Sequence, residues 1–249
     1  MSESINGAAT TAPVLPPLYR SLEPVTPERH GKLRLRDAGL GFARTLSAVP
    51  ITAEEIPVAA RTLTIVFAAQ APHLPVALTS LVPEKNNFID AGGAWKIGAY
   101  VPAYLRRYPF FLLRVAETSQ DLALCVDPTA PQLSAEQGEP MFADDGKLAP
   151  QLERAFAFTR SVEEAMVRTR TMTTRLAELG LLKPAQVQFE RLGKPLRIDG
   201  FFAVDRPSLA ALPAEQLTEL RDKGWLEVIY AHMVSLGGLP ELAAALPPA

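Results

Sequence analysis

The stretch Pro150–Leu179, PQLERAFAFTRSVEEAMVRTRTMTTRLAEL, decides the fold class of this chain. Proline opens it at the one place where a helix does not need the missing N–H, and Gly180 closes it. Leu152, Phe156, Val162, Met166, Thr169, Leu176 and Leu179 fall on one stripe at the helical period, so the spacing predicts a single long helix over about 150–179. Glu164 and Arg168 stand one turn apart on its outer side, placed to pair. The run Thr169–Thr174, TRTMTT, is a poor helix former, so packing must hold it.

On both sides of this helix the period changes to two. Pro184–Leu192 and Leu196–Val204 predict a hairpin across Gly193-Lys194. Upstream, Thr62–Ala68 (TLTIVFA) and Leu74–Leu81 (LPVALTSL) are β-branched apolar runs around a Pro-containing turn, and predict buried strands. Phe110–Val115 and Asp121–Asp127 predict a second hairpin around Glu117–Gln120. In His30–Arg36, leucines alternate with Lys32, Arg34 and Arg36. That is a strand with one basic face, either a solvated edge or an anion-contacting strip. Asn86–Asp90 and Trp95–Ile97 predict two short strands about Gly92-Gly93. Thr52 with Glu55 makes a capping box and predicts a helix over about 53–60. Pro102 begins another helix, which Pro109 stops by Tyr108. Helices are predicted again over Pro213–Lys223 and Trp225–Ser235, and a short one before Pro247-Pro248. Strands and helices segregate rather than alternate. The expected fold is α+β, a largely antiparallel sheet with the long helix and the C-terminal helices packed on it.

The chain has 249 residues, 48% of them hydrophobic, enough for one sizeable core. Residues 1–20 are expected as a flexible N-terminal arm, 21–249 as a single globular domain, and the Pro-, Gly- and Asp-rich segment 128–150 as an internal linker or lid. A net charge of −2 supplies no global field for nucleic acid or an anionic membrane. No window approaches the apolar length of a spanning helix, which excludes membrane insertion and a permease or channel subunit. The first residues lack a secretory signal pattern, and a cytoplasmic location is expected. The lone Cys125, in LALCVD, reads as a small buried hydrophobe.

No metal and no cofactor is expected. His30, His73 and His232 fall in none of the usual metal-binding spacings, and the phosphate-cradling glycine motifs and G-x-S-x-G are missing. His232, in IYAHM, reads as a histidine bonding backbone, and His73 as a turn residue. The densest gathering of chemistry is NNFIDAGGAWKIGAYVPAYLRRYPF, residues 86–110. Asn87, Asp90, Trp95, Tyr100, Tyr104, Arg106, Arg107 and Tyr108 are its candidate binding residues. Aromatic faces beside guanidinium forks suit a partner protein or a sugar- or peptide-like ligand. The same aromatics also suit a core hinge. The alternative is an enzyme whose Asp90, Asp127 and Asp205 are brought together in space, with Arg106 or Arg107 holding an anionic substrate. Trp225, Ile229, Tyr230 and Met233 share one face of the last long helix, which packs on the core or forms a homo-oligomer contact.

FARTLSAVPITAEE (42–55), NNFIDAGGAW (86–95), YVPAYLRRYPF (100–110), LCVD (124–127), GFFAVD (200–205) and GWLEVIYAHMVSLGGL (224–239) together resemble the bacterial SapC family, from about Phe42 to Leu239. YVPAYLRRYPF is the most specific block. The family takes its label from loci for paracrystalline surface layers and is distinct from a peptide-transport permease of the same name. The resemblance implies a soluble accessory role in a surface-layer or outer-membrane uptake pathway. It transfers no catalytic residue.

Overall fold

The computed structural model describes residues 15–114, 122–191 and 194–246. In chain order the first half holds β1 (Glu23–Pro24), α1 (Pro27–His30), β2 (Arg34–Leu35), β3 (Ala48–Pro50), α2 (Ile56–Ala59), β4 (Thr64–Ala68), β5 (Pro75–Leu78), α3 (Ala103–Arg106), β6 (Phe110–Arg114) and β7 (Leu122–Val126). The second half holds β8 (Leu133–Ser134), β9 (Glu139–Pro140), α4 (Pro150–Glu178), β10 (Leu182–Arg191), β11 (Lys194–Val204), α5 (Arg206–Ala210), α6 (Ala214–Asp222), α7 (Trp225–Ser235) and α8 (Leu239–Ala244). The strands form three antiparallel sheets, ordered β1-β7-β6, β10-β11-β4-β5-β3 and β8-β2-β9. The α+β expectation therefore holds.

The five-stranded sheet is buried on both faces at β4, which explains the unbroken apolar run there. Ile65 and Phe67 face a core built with Ile51, Ile56, Met172, Leu176, Leu220 and Ile229. Val66 faces the other way, onto Phe201, Ala203 and Leu239. His232 fastens α7 to this sheet. One ring nitrogen, Nδ1, meets the Ile65 carbonyl at 2.9 Å, and Nε2 accepts from the Val204 N–H at 3.2 Å. The ring is fully buried, and burial pushes its pKa down to about 4.

α4 serves two cores. Met172 and Leu176 pack under the large sheet, whereas Leu152 joins Phe110, Val126 and Met141 beside the β6–β7 hairpin. Its threonine-rich stretch is held from outside, as its propensity requires. The buried Thr169 hydroxyl donates to the Ala165 carbonyl at 2.8 Å and accepts the Ala53 N–H at 2.8 Å, tying α4 to the turn before α2. Thr52 and Glu55 close the expected capping box at that turn.

Several expectations change. The basic strand over His30–Arg36 shrinks to β2, because Thr26 caps a helical turn at Pro27 and His30 ends it, its ring buried on Glu23. The two strands about Gly92-Gly93 reduce to a single bridge, Ile89 to Trp95. Arg168 reaches Glu54 at 2.5 Å rather than pairing with Glu164, since a bidentate fork across elements outcompetes a flexible neighbour on the same helix. Segment 128–150 supplies β8 and β9 and buries Met141. Cys125 is buried, as its apolar run predicts, and burial raises its thiol pKa. The turns expected at Glu117–Gln120 and Gly193, the first fourteen residues, and Pro247-Pro248 lie outside the described residues. Among the described residues no helix is long and apolar enough to cross a membrane.

Candidate functional site

The eight candidate residues separate into two groups. Asn87, Asp90 and Trp95 belong to the turn after β5. The Asn87 N–H donates to the Thr79 carbonyl, and the Asp90 carboxylate accepts the Ala94 N–H at 2.9 Å. Arg44 clamps that turn from outside, donating to the carbonyls of Asp90 and Ala91. Trp95 stacks on Phe88 with centroids 5.4 Å apart, and its indole N–H is buried without a partner. Tyr100, Tyr104, Arg106, Arg107 and Tyr108 gather instead around α3.

Helical geometry decides the fate of each residue in that second group. Tyr104, Arg107 and Tyr108 lie at i, i+3 and i+4, so they share one face, and that face is buried. Arg106 falls on the other side and is exposed. Tyr104 donates to the Pro17 carbonyl and meets Tyr19 edge-on. Tyr108 stacks on Phe42 at 4.5 Å. Arg107 sits between the rings of Tyr104, at 4.8 Å, and Phe111, at 4.2 Å, and pairs with Glu163 of α4. These cation–π contacts and one ion pair keep a charged group stable at 3% exposure.

Two buried carboxylates hold this region together. Glu55 accepts the Thr52 N–H at 2.9 Å, the Ala103 N–H at 2.6 Å and the Tyr100 hydroxyl at 2.9 Å. Tyr100, with its proton committed to Glu55, accepts from Arg106 Nη2 at 3.3 Å. Its hydroxyl pKa is pushed up to about 12 by burial and by the Glu55 charge. Asp127 accepts from the Arg20 N–H at 2.8 Å, the Thr129 N–H at 2.9 Å and the Thr129 hydroxyl at 2.7 Å, with the Tyr108 hydroxyl at 3.4 Å. Burial raises Tyr108 to about 12 as well. Asp205 caps α5 and pairs with Lys183 at 2.8 Å, which holds its carboxyl down near 2. Asp90, Asp127 and Asp205 thus sit in three different settings, and among the described residues none of them lines the clefts described below.

A cleft forms where α3 meets the first three turns of α4. It has a volume of about 370 Å³, within the range of small-molecule sites. Arg106, Arg107 and Tyr108 line it from α3 and the residues after it, Arg36 from the end of β2, and Gln132 from before β8. Gln151, Arg154 and Phe158 line it from α4. Among the described residues, no aspartate or glutamate lines its walls. Arg36 and Arg106 make no ion pair among the described residues. Arg154 reaches Glu139 only at 3.9 Å, between two exposed side chains. Arg106 lies over the Phe158 ring at 5.1 Å, so packing as well as Tyr100 sets its direction. Two buried polar atoms at the walls have no hydrogen-bond partner, Arg107 Nε and Gln132 Oε1. A larger hollow of about 800 Å³ between β6–β7 and α4 differs in kind, because Glu163 and Glu164 line it beside its arginines.

Sequence reasoning found Arg106, Arg107 and Tyr108 and noted Arg36 as part of a basic strip. It missed Gln132, Gln151, Arg154 and Phe158. Arg154 and Phe158 carry a local signal, being four apart and so on one face of α4. The two glutamines carry none.

The family model for SapC matches residues 25–242. Searches of curated proteins and of solved structures found no match.

Proposed function

This chain belongs to the SapC family, and we propose that it acts there as a binding protein whose arginine cleft takes a small anionic ligand. One observation supports this most strongly: four arginines, of which only Arg107 has a close carboxylate partner, border a cleft with no carboxylate in its walls among the described residues, in a chain whose net charge is −2. Gathered like charges repel one another, so the arrangement costs stability until an anion offsets it. Guanidinium forks match the oxygens of a carboxylate or phosphate in pairs. The lining also favours recognition over proton transfer. Tyr108, pushed up to about 12, keeps its proton at neutral pH. In the surface-layer or uptake setting that the resemblance implies, the role is accessory, holding a ligand for another component.

The test is thermal unfolding of the full chain in inorganic phosphate and in sodium chloride of equal ionic strength. Phosphate is expected to raise Tm by several degrees over chloride, and the double variant Arg106→Ala/Arg154→Ala to lose that difference. An equal response to both salts, or a rise that survives in the variant, contradicts the reading.

A further inference from the structure

We propose that the ligand of the cleft is a phosphate monoester of a small polyol, such as a sugar phosphate. This rests on the anion-binding reading above and adds the identity of the anion and of its neutral part. Glu163 neutralises Arg107, but Arg36 and Arg106 have no carboxylate partner among the described residues, and Arg154 has only the distant Glu139. A monocarboxylate leaves such a cleft strongly positive. A phosphate monoester carries close to two negative charges at neutral pH and presents three acceptor oxygens.

Arg107 Nε is a donor without an acceptor, in a residue only 3% exposed. Gln132 Oε1 is an acceptor without a donor, in a residue 9% exposed. Buried polar groups left unpaired are costly, so a ligand that supplied partners to these two would gain from both. One needs an oxygen and the other an O–H or N–H. An oxyanion without a hydroxyl answers only the first, inorganic phosphate has just its own P–OH to offer the second, and a neutral sugar brings no charge to the arginines. A hydroxyl-bearing phosphate ester answers both. The Gln151 amide at the same wall offers a second neutral contact for hydroxyls. Both orphaned atoms belong to residues of the cleft lining.

Isothermal titration calorimetry of the full chain against four probes separates the possibilities: glucose 6-phosphate, inorganic phosphate, glucose, and the hydroxyl-free polyanion propane-1,2,3-tricarboxylate. Glucose 6-phosphate is expected to bind at least tenfold more tightly than inorganic phosphate or the tricarboxylate, with glucose giving no saturable heat. Gln132→Met, checked for folding by circular dichroism, is expected to bring glucose 6-phosphate to within about threefold of inorganic phosphate. If glucose 6-phosphate and phosphate bind alike in the unaltered chain, or the tricarboxylate binds more tightly, this proposal falls while the anion-binding reading stands. If no anion binds, both fall.

Discussion

Arg106 and Arg107 are adjacent in sequence and opposite in environment, because a helix turns by about 100° per residue. Arg107 is closed in by Tyr104, Phe111 and Glu163, whereas Arg106 looks onto solvent across Phe158. The two alanine variants should therefore part company. Arg107→Ala leaves Glu163 without its cation and opens a void between two rings, a loss of about 3–5 kcal/mol in urea unfolding. Arg106→Ala is expected to leave the unfolding midpoint nearly unchanged and to weaken anion binding. The reverse pattern contradicts the assignment. Tyr100 links the two roles, since its hydroxyl donates to Glu55 and accepts from Arg106. Tyr100→Phe should cost about 1 kcal/mol of stability and lower phosphate affinity severalfold, as Arg106 loses the hydrogen bond that aims it and keeps only its ring contacts. An unchanged affinity would remove Tyr100 from the site. The tyrosine and arginine types were legible in YVPAYLRRYPF. Which of them face inward was legible too, through the i, i+3, i+4 spacing of Tyr104, Arg107 and Tyr108. What no local pattern states is that Glu55, from a capping box far upstream, accepts both the Tyr100 hydroxyl and the Ala103 N–H at the start of α3.

At the scale of elements, α4 shows where sequence reasoning succeeds and stops. Its extent follows from Pro150, Gly180 and the apolar stripe, and the structure runs it from Pro150 to Glu178. α7 was legible in the same way over Trp225–Ser235, although only Ile229 and Met233 of its predicted face are buried and Tyr230 is exposed. Partners across elements were not legible. Arg168 goes to Glu54 rather than Glu164, and Thr169 accepts a backbone N–H from the turn before α2. Thr169→Val keeps the shape and removes both hydrogen bonds, orphaning the buried Ala53 N–H. The expected loss is about 2 kcal/mol by chemical unfolding, within the range for an unpaired buried group. Thr171→Val, at an exposed position of the same helix, is expected to change stability little. Equal effects at the two positions would contradict the bridging role of Thr169.

At the scale of the whole molecule, His232 makes the fold sensitive to acid. Its folded pKa is about 4 against about 6.5 unfolded. As pH falls below about 6.5, the unfolded chain takes up a proton that the native chain refuses. Stability then declines until the folded ring titrates near 4, by roughly 3 kcal/mol in all. Asp205 and Glu219, each held down to about 2 by its basic partner, act in the same direction but in a lower window, below the ordinary carboxylate range. Urea unfolding at half-unit steps from pH 7 to 4.5 should show the decline already above pH 5. A flat profile there contradicts a neutral, buried His232. The fold class was legible because strands and helices segregate along the chain. The cleft was not, because its walls come from β2, the end of α3, the loop before β8 and the start of α4, and only tertiary packing brings these together. The claim on which the account turns is that this cleft, and no other surface, takes the oxyanion. The most direct measurement is an NMR titration of the arginine side-chain Nε–H resonances with inorganic phosphate at constant ionic strength. Saturable shifts confined to Arg36, Arg106, Arg107 and Arg154 are the predicted result. Shifts that never saturate, or that centre on arginines elsewhere such as Arg61 or Arg170, would contradict it.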